Sequence, residues 1–260
     1  MNFRLGTTSY ILSAGLQENA EFLAESVQDM ELVLFDLDDG QNNIPSKNII
    51  QALRRIADDK QFGYTVHLPE DLKLLDELGR PHPSLRKAQK AILSTLDLNP
   101  SAYVAHLDAR QVSDWQNQNQ RQIWQEKAIE ALEIVAGWVG GWSNIALENL
   151  EGYPLDYLDG IFNEVPVGRC VDVGHWWLDG HNPVNILSNK FDLDRVSVIH
   201  IHGISPVGKG HSSLAFQSHD ELRAIFEQLV LKHFSGVLTL EVFGLEDFRT
   251  SLEAIQSFID

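Results

Sequence analysis

Six short apolar runs in the chain end in imidazole or carboxylate side chains. They are His67 after Tyr64–Val66, His106 after Tyr103–Ala105, Glu148 after Ile145–Leu147, and Asp172 with His175 in the run from Cys170. Val198-Ile-His-Ile-His202 supplies His200 and His202, and Leu238–Leu240 leads to Glu241. Imidazole combined with carboxylate is the donor set of borderline and hard divalent ions, so the series predicts a centre for more than one metal ion. Any one of these residues alone is more often a hydrogen-bonded core or loop residue than a ligand. Their joint occurrence decides for metal, because carboxylates are rarely buried without a partner.

The elements that must position these residues alternate regularly. Strand-like runs start near Arg4, Glu31, Tyr64, Tyr103, Ile145, Gly168, Val198 and Val237. Helical apolar spacing separates them over residues 17–30, 46–60, 84–96, 113–139 and 218–233, with Ile49, Leu53 and Ile56 as one example. Ser218 with Glu221 forms a capping-box signal, and Pro183 follows Asn182 at the head of another helix. Residues 111–125, rich in Gln, Asn and Trp, read as a surface helix or its lead-in. Eight such units predict an α/β fold, a closed (β/α)8 TIM barrel, as a single domain over residues 1–260. Residues two apart on a strand share a face, so His200 and His202 point one way and the isoleucines the other. A polar group inside a packed barrel is costly, which places the whole series at the C-terminal rim. Asp36 and Asn149 end strands at the same rim. Thr7, Thr8 and Ser9 are expected to pack inward with satisfied hydroxyls, and Asp38, Asp39 and Gly40 to form a turn.

Bulk properties narrow the partners. The 260 residues carry a formal charge of −17, which opposes the clustered cations that duplex nucleic acid requires. No apolar run approaches the roughly 20 residues of a membrane span, and the N-terminus shows no signal-peptide pattern, so a soluble cytoplasmic protein is expected. The single cysteine, Cys170, excludes an internal disulfide framework and a cysteine-rich zinc site, and its strand position predicts a buried thiol.

On these motifs the chain resembles the xylose isomerase-like barrel superfamily, which includes endonuclease IV and many sugar isomerases and epimerases. The resemblance spans nearly all of residues 4–250. It implies a metal site of Glu148, Asp172, His200 and Glu241, and a second ion held by His67 and His106 with Glu148 as the bridge. A third ion in endonuclease IV uses the His of an Asp-x-x-His motif, here Asp172 to His175, with a later Asp-x-His pair. Here that pair reads Lys209-Gly-His211, and an ammonium in place of an anionic ligand opposes a third ion, although His175 and His211 could still hold one weakly and Lys209 could instead contact a phosphate oxygen. The expected cofactors are therefore two divalent ions, Zn2+ or Mn2+/Fe2+, with a third left open, and His200 ranks before His202 as the ligand of the seventh strand.

Within the superfamily, residues 5–11, 31–35 and 64–69 look like the cobamide remodelling phosphodiesterases. That branch implies hydrolysis of the phosphodiester in a corrinoid nucleotide loop, giving a cobinamide phosphate and the riboside of the lower base. Two ions about 4 Å apart, bridged by a carboxylate, acidify a water and neutralise a phosphoryl group. Glu148 then acts as bridge, with His211 and Lys209 meeting the leaving oxygen. Trp176 and Trp177, expected in the loop after the sixth strand, would line a cleft for a macrocycle or base, together with His202 and Asn149. Packing under a loop is the equal alternative for the tryptophans. The expected partner is a small molecule, a corrinoid or a sugar phosphate. A sugar or sugar-phosphate isomerase is the second reading, since two glutamates at one metal can trade protons with a carbon acid. His67 and His106, superfluous to a single-metal site, speak against it. A noncatalytic corrinoid- or sugar-binding barrel is the third.

Overall fold

Strict alternation of inward and outward side chains sets the architecture. A computed structural model describes residues 2–189 and 193–259. Its strands are β1 (Arg4–Thr8), β2 (Asp29–Val33), β3 (Gly63–His67), β4 (Tyr103–Ala105), β5 (Ile145–Glu148), β6 (Gly168–Asp172), β7 (Val196–Ile201) and β8 (Val237–Leu240). All neighbours are parallel and in chain order, and β8 closes on β1 through Leu5↔Leu238 and Thr7↔Leu240. The expected eight-stranded TIM barrel is therefore observed. The helices are α1 (Leu16–Leu23), α2 (Lys47–Lys60), α3 (Pro83–Thr95), α4 (Gln118–Val139), α5 (Asp159–Glu164), α6 (Val173–Leu178), α7 (Pro183–Asn189), α8 (His219–Leu231) and α9 (Leu245–Ile259). Among the described residues no helix is long and apolar enough to cross a membrane.

The outward strand residues, such as Met30, Leu32, Val66, Leu147, Ile199 and Leu240, join the helices in the main core. Inside the barrel, Ala102, Val104, Ala146, Cys170 and Val198 form a second, smaller cluster on the β4–β7 side. The thiol of Cys170 is buried, as expected. The other half of the interior is polar: Asp29, Glu31, Thr65 and Thr239 are all fully buried. Thr7 and Thr8 donate to the carbonyls of Leu240 and Val242, and Ser9 Oγ accepts the Val33 amide, which satisfies their hydroxyls within the β8–β1–β2 seam.

Several boundaries differ from the sequence reading. The first helix stops at Leu23 rather than Met30, because Asp29 and Met30 pair with Gly63 and Tyr64 of β3 and start β2 early. Sheet pairing overrides the helical spacing there. α4 begins at Gln118, not Ser113, because the Asn117 side chain caps the amides of Asn119 and Gln120. The amides of Ser113 and Asp114 instead bond Gln120 Oε1 in the lead-in. Trp176 and Trp177 lie on α6 rather than in a loop. Ser46 and Ser218 cap α2 and α8, Pro183 opens α7, and Gly40 takes a left-handed φ of 92° in its turn.

The buried Asp29 accepts from Thr65 Oγ1 at 2.9 Å and lies 3.6 Å from the Arg4 guanidinium. Burial pushes its carboxyl up to about 7, against the opposing pull of Arg4 and Thr65. A folded-state pKa above the unfolded value means stability is fully present below pH ~4 and declines as pH rises to 7. Between pH 5 and 8 the wild type should therefore lose about 3 kcal/mol relative to Asp29→Asn. Urea unfolding of both proteins across that range measures it, and parallel pH profiles would refute the assignment.

Candidate metal centre

Strand-end residues converge at the C-terminal rim around Glu148. This carboxylate is buried, and Tyr157 Oη fixes its strand end by donating to the Glu148 carbonyl at 3.0 Å. Glu148 Oε2 lies 3.0 Å from His106 Nε2 and 3.4 Å from His67 Nε2, and the two imidazole nitrogens are 3.2 Å apart. Ligands held about 2.1 Å from a tetrahedral zinc are about 3.4 Å from one another, so these three atoms have the spacing of a coordination shell. His67 Nδ1 donates to the Leu68 carbonyl and His106 Nδ1 faces Asp71 at 3.3 Å, which turns both Nε2 atoms inward.

The other oxygen of Glu148 belongs to a second group. His200 Nδ1 is 3.3 Å from Glu148 Oε1 and 3.5 Å from Glu241 Oε2, and Asp172 completes a buried quartet. Glu148 Oε1, Asp172 Oδ2, His200 Nδ1 and Glu241 Oε2 are each buried without a hydrogen-bond partner among the described residues. Four orphaned donor atoms in one place are costly unless a cation satisfies them. The donor chemistry and the orphaned atoms together fit divalent metal at both positions.

Electrostatics agree. Burial works to raise Glu148, yet the neighbouring His200 and His106 outweigh it and hold the carboxyl well below its ordinary range. Burial and the charges of Glu241 and Glu148 drive Asp172 well above the usual carboxylate value. Burial works to lower His106, but Glu148 and Asp71 bring it up to about 10. Without a cation, protons trapped on these groups balance the buried carboxylates.

The structure adds two residues to the expected set. Glu31 is fully buried on β2, and its Oε2 lies 2.8 Å from His200 Nε2, directing Nδ1 to the quartet. Its signal was present in the sequence, since Asp29 and Glu31 alternate with Met30 and Leu32, but no metal-binding run ends there. Asp71 lies past the end of β3, where strand periodicity gives no information. The other expectations divide. His175, His202 and His211 form a further cluster. The Asn149 side-chain amide is committed to the Asp172 backbone: it donates to the Asp172 carbonyl at 2.9 Å and accepts the Asp172 amide at 2.8 Å, splicing β5 to β6. Trp176 is buried and turns to a separate cavity of about 610 Å³ between α5 and α7. Trp177 Nε1 donates to Glu221 on α8 at 3.0 Å. The helical turn started by the Asp172 cap sends one indole to that cavity and the other to α8, and neither lines the cavity at the metal centre. Lys209 is exposed in the loop after β7 and does not join the cluster, and Asp36 is paired with Lys90. The centre opens into a cavity of about 460 Å³ lined by His67, His106, Glu148, His175, His211 and Glu241, with Phe243 at its wall.

Cation binding must displace the trapped protons, so affinity should fall as pH drops from 8 to 6, with proton release visible by calorimetry in buffers of different ionisation enthalpy. Glu31→Gln, which weakens the hold on the His200 ring, should lower zinc affinity about 10- to 100-fold. Unchanged affinity would contradict the orienting role of Glu31.

Comparison with solved structures returns the same architecture. A D-tagatose 3-epimerase-like protein is 19% identical, with 99% of this chain and 97% of that one covered at a TM-score of 0.71. Endonuclease IV from Thermus thermophilus is 16% identical over 98% of both chains, with a TM-score of 0.68. D-psicose 3-epimerase from Clostridium cellulolyticum is 14% identical over 98% of both chains, with a TM-score of 0.64. At these identities the likeness shows the fold. A sequence comparison with curated proteins gave no match. The model of the xylose isomerase-like TIM barrel matches residues 24–258, nearly the whole chain, and the protein belongs to that family.

Proposed function

We propose that the chain is a metal-dependent phosphodiesterase acting on a small, bulky metabolite, with the nucleotide-loop phosphodiester of a cobamide as its substrate. The observation that carries this reading is the division of Glu148: one oxygen faces His67 and His106, the other faces His200 in the quartet. Two divalent ions, when bound, neutralise a phosphoryl group and acidify a water. Glu148 holds the two positions in register, Glu31 fixes the His200 ring against rotation, and Asn149 anchors the backbone of Asp172. Burial works to lower His211, but Glu241 raises it, so a protonated imidazole at the cavity wall can meet a leaving oxygen.

The mouth supports a large substrate. Tyr10, Leu37, Leu78, Val207 and Phe243, in loops after β1, β2, β3, β7 and β8, are all exposed apolar side chains at the rim. Such a rim suits a ligand whose bulk stays outside while its phosphodiester enters the cavity. The charge of −17 makes duplex nucleic acid a poor partner. Epimerisation of a ketose or sugar phosphate is the second reading. It is favoured by Glu148 and Glu241 standing on either side of His200 Nδ1, at 3.3 and 3.5 Å, where two carboxylates can serve one carbon acid.

Metal-reconstituted full-length protein incubated with adenosylcobalamin should yield a cobinamide phosphate and a lower-base riboside by mass spectrometry. His67→Ala should abolish that cleavage while the quartet still binds an ion. A ketose epimer from a parallel sugar panel, with no corrinoid cleavage, would overturn the phosphodiesterase reading.

A further inference from the structure

The short segment that follows β3 carries both contacts that orient the His67–His106 pair. Leu68 offers its carbonyl to His67 Nδ1 at 3.1 Å, and Asp71 places Oδ1 3.3 Å from His106 Nδ1. Backbone bonds tie the far end of the segment to the chain after β4: the Leu72 amide donates to the His106 carbonyl at 2.8 Å, and the Asp108 amide donates to the Leu72 carbonyl at 3.0 Å. Between these anchors Glu70 takes a left-handed φ of 62°. For a residue with a Cβ that conformation is costly, and it persists only where the surroundings hold it.

The hold on Glu70 comes from α3. Lys87 is only 4% exposed, and its Nζ donates to Glu70 Oε1 and, at 2.7 Å, to Asp38 Oδ1 in the loop after β2. Lysine is almost never covered to that degree unless it is paired, and here two carboxylates from two loops compensate one ammonium. The Asp38 side chain, by contrast, is 90% exposed. The ammonium is therefore the fixed point, and the two loops gather on it. Three residues on, Lys90 donates to both oxygens of Asp36 at 3.1 Å, but that side chain is half exposed and its carboxylate partner lies outside the segment after β3. The same helix thus carries one ion pair that reaches Glu70 and one that does not.

We propose that Lys87 is a positioning residue for the metal centre: by holding Glu70 in its left-handed conformation it directs the neighbouring Asp71 carboxylate onto His106, and so sets the ring that shares an ion with His67 and Glu148. This rests on the reading that those three residues hold an ion, and it is independent of the reaction the centre performs. Glu70 and Asp71 share a peptide unit, so a Glu70 released to an ordinary backbone conformation swings Asp71 away from His106 Nδ1. The His106 ring then loses the partner that turns its Nε2 inward. Glu31 orients His200 from inside the barrel, and no part of that contact passes through Lys87. The loss therefore falls on one ion and spares the other.

Chelator-stripped full-length protein titrated with Co2+ tests this without turnover, because the visible spectrum identifies the ion that His67→Ala removes. Lys87→Met should weaken that ion about 10-fold and change its spectrum, with the quartet ion unaltered. Glu70→Gln should act in the same direction, and it carries the comparison if melting without metal shows Lys87→Met to be unfolded. Lys90→Met, which breaks the exposed ion pair of the same helix, should leave both ions as in wild type. Added to Asp71→Asn, Lys87→Met should bring little further loss, since the two residues act in series. Wild-type affinity and spectrum in Lys87→Met, an equal loss in Lys90→Met, or full additivity with Asp71→Asn each overturns the role of Lys87 and leaves the metal centre standing. A wild type that binds no ion sensitive to His67→Ala overturns the metal reading of that pair, and the role of Lys87 with it.

Discussion

A buried carboxylate that must be shared between two groups of donors organises this end of the barrel. Glu148 cannot be ionised in the interior without positive charge on both sides of it, and the rim supplies that charge as imidazole or as bound cation. The strand ends are spaced by the barrel's own register, so no loop has to fold to bring His67, His106, Asp172 and His200 together. What loops and helix ends add is orientation. Glu31, Asp71 and the Leu68 carbonyl each engage one ring nitrogen of a ligand histidine and leave the other directed inward, while Asn149 anchors the Asp172 backbone. The site is thereby prepared before any ion arrives.

The division of the barrel interior follows from the same requirement. Small apolar residues fill the β4–β7 side beneath the ligands, where Ala146 and Cys170 lie directly below Glu148 and Asp172 on the same strand faces. Rigid packing there holds the carboxylates at fixed height. On the β8–β3 side the interior is polar, and Glu31 reaches up from it to His200. Metal positions built on strands are more exact than positions built on loops, which suits chemistry that depends on two ions at a set separation.

Much of this was legible in the sequence because strand alternation is a strict rule. Val198 to His202 places two histidines inward whichever residues surround it, and Ile199 and Ile201 do pack outward. The barrel itself was legible from the order of strand and helix signals. Tertiary competition hid the rest. Residues 24–30 keep a helical spacing that β3 overrules by pairing, and the two tryptophans follow a strand end, where a loop is the natural expectation, until the Asp172 carboxylate caps a helix that begins at once. Asn149 ends a strand at the rim like the ligand candidates, and nothing in the sequence signals that its amide makes two bonds to the Asp172 backbone. The reaction itself is the least legible layer. One barrel of this family serves epimerases and endonuclease IV alike, so function resides in a few residues at the rim rather than in the scaffold.

The polar half of the interior has a further effect. His200 touches Glu31, Glu31 neighbours Thr65 in the β2–β3 register, Thr65 bonds Asp29, and Asp29 faces Arg4 near the opposite mouth of the barrel. Glu31 also acts directly on Asp29 by charge. Polar groups thus run the length of the axis instead of ending beneath the ligands. Charge gathered at one mouth is felt at the other through a low-dielectric column, so the far end of the barrel is electrically coupled to its rim.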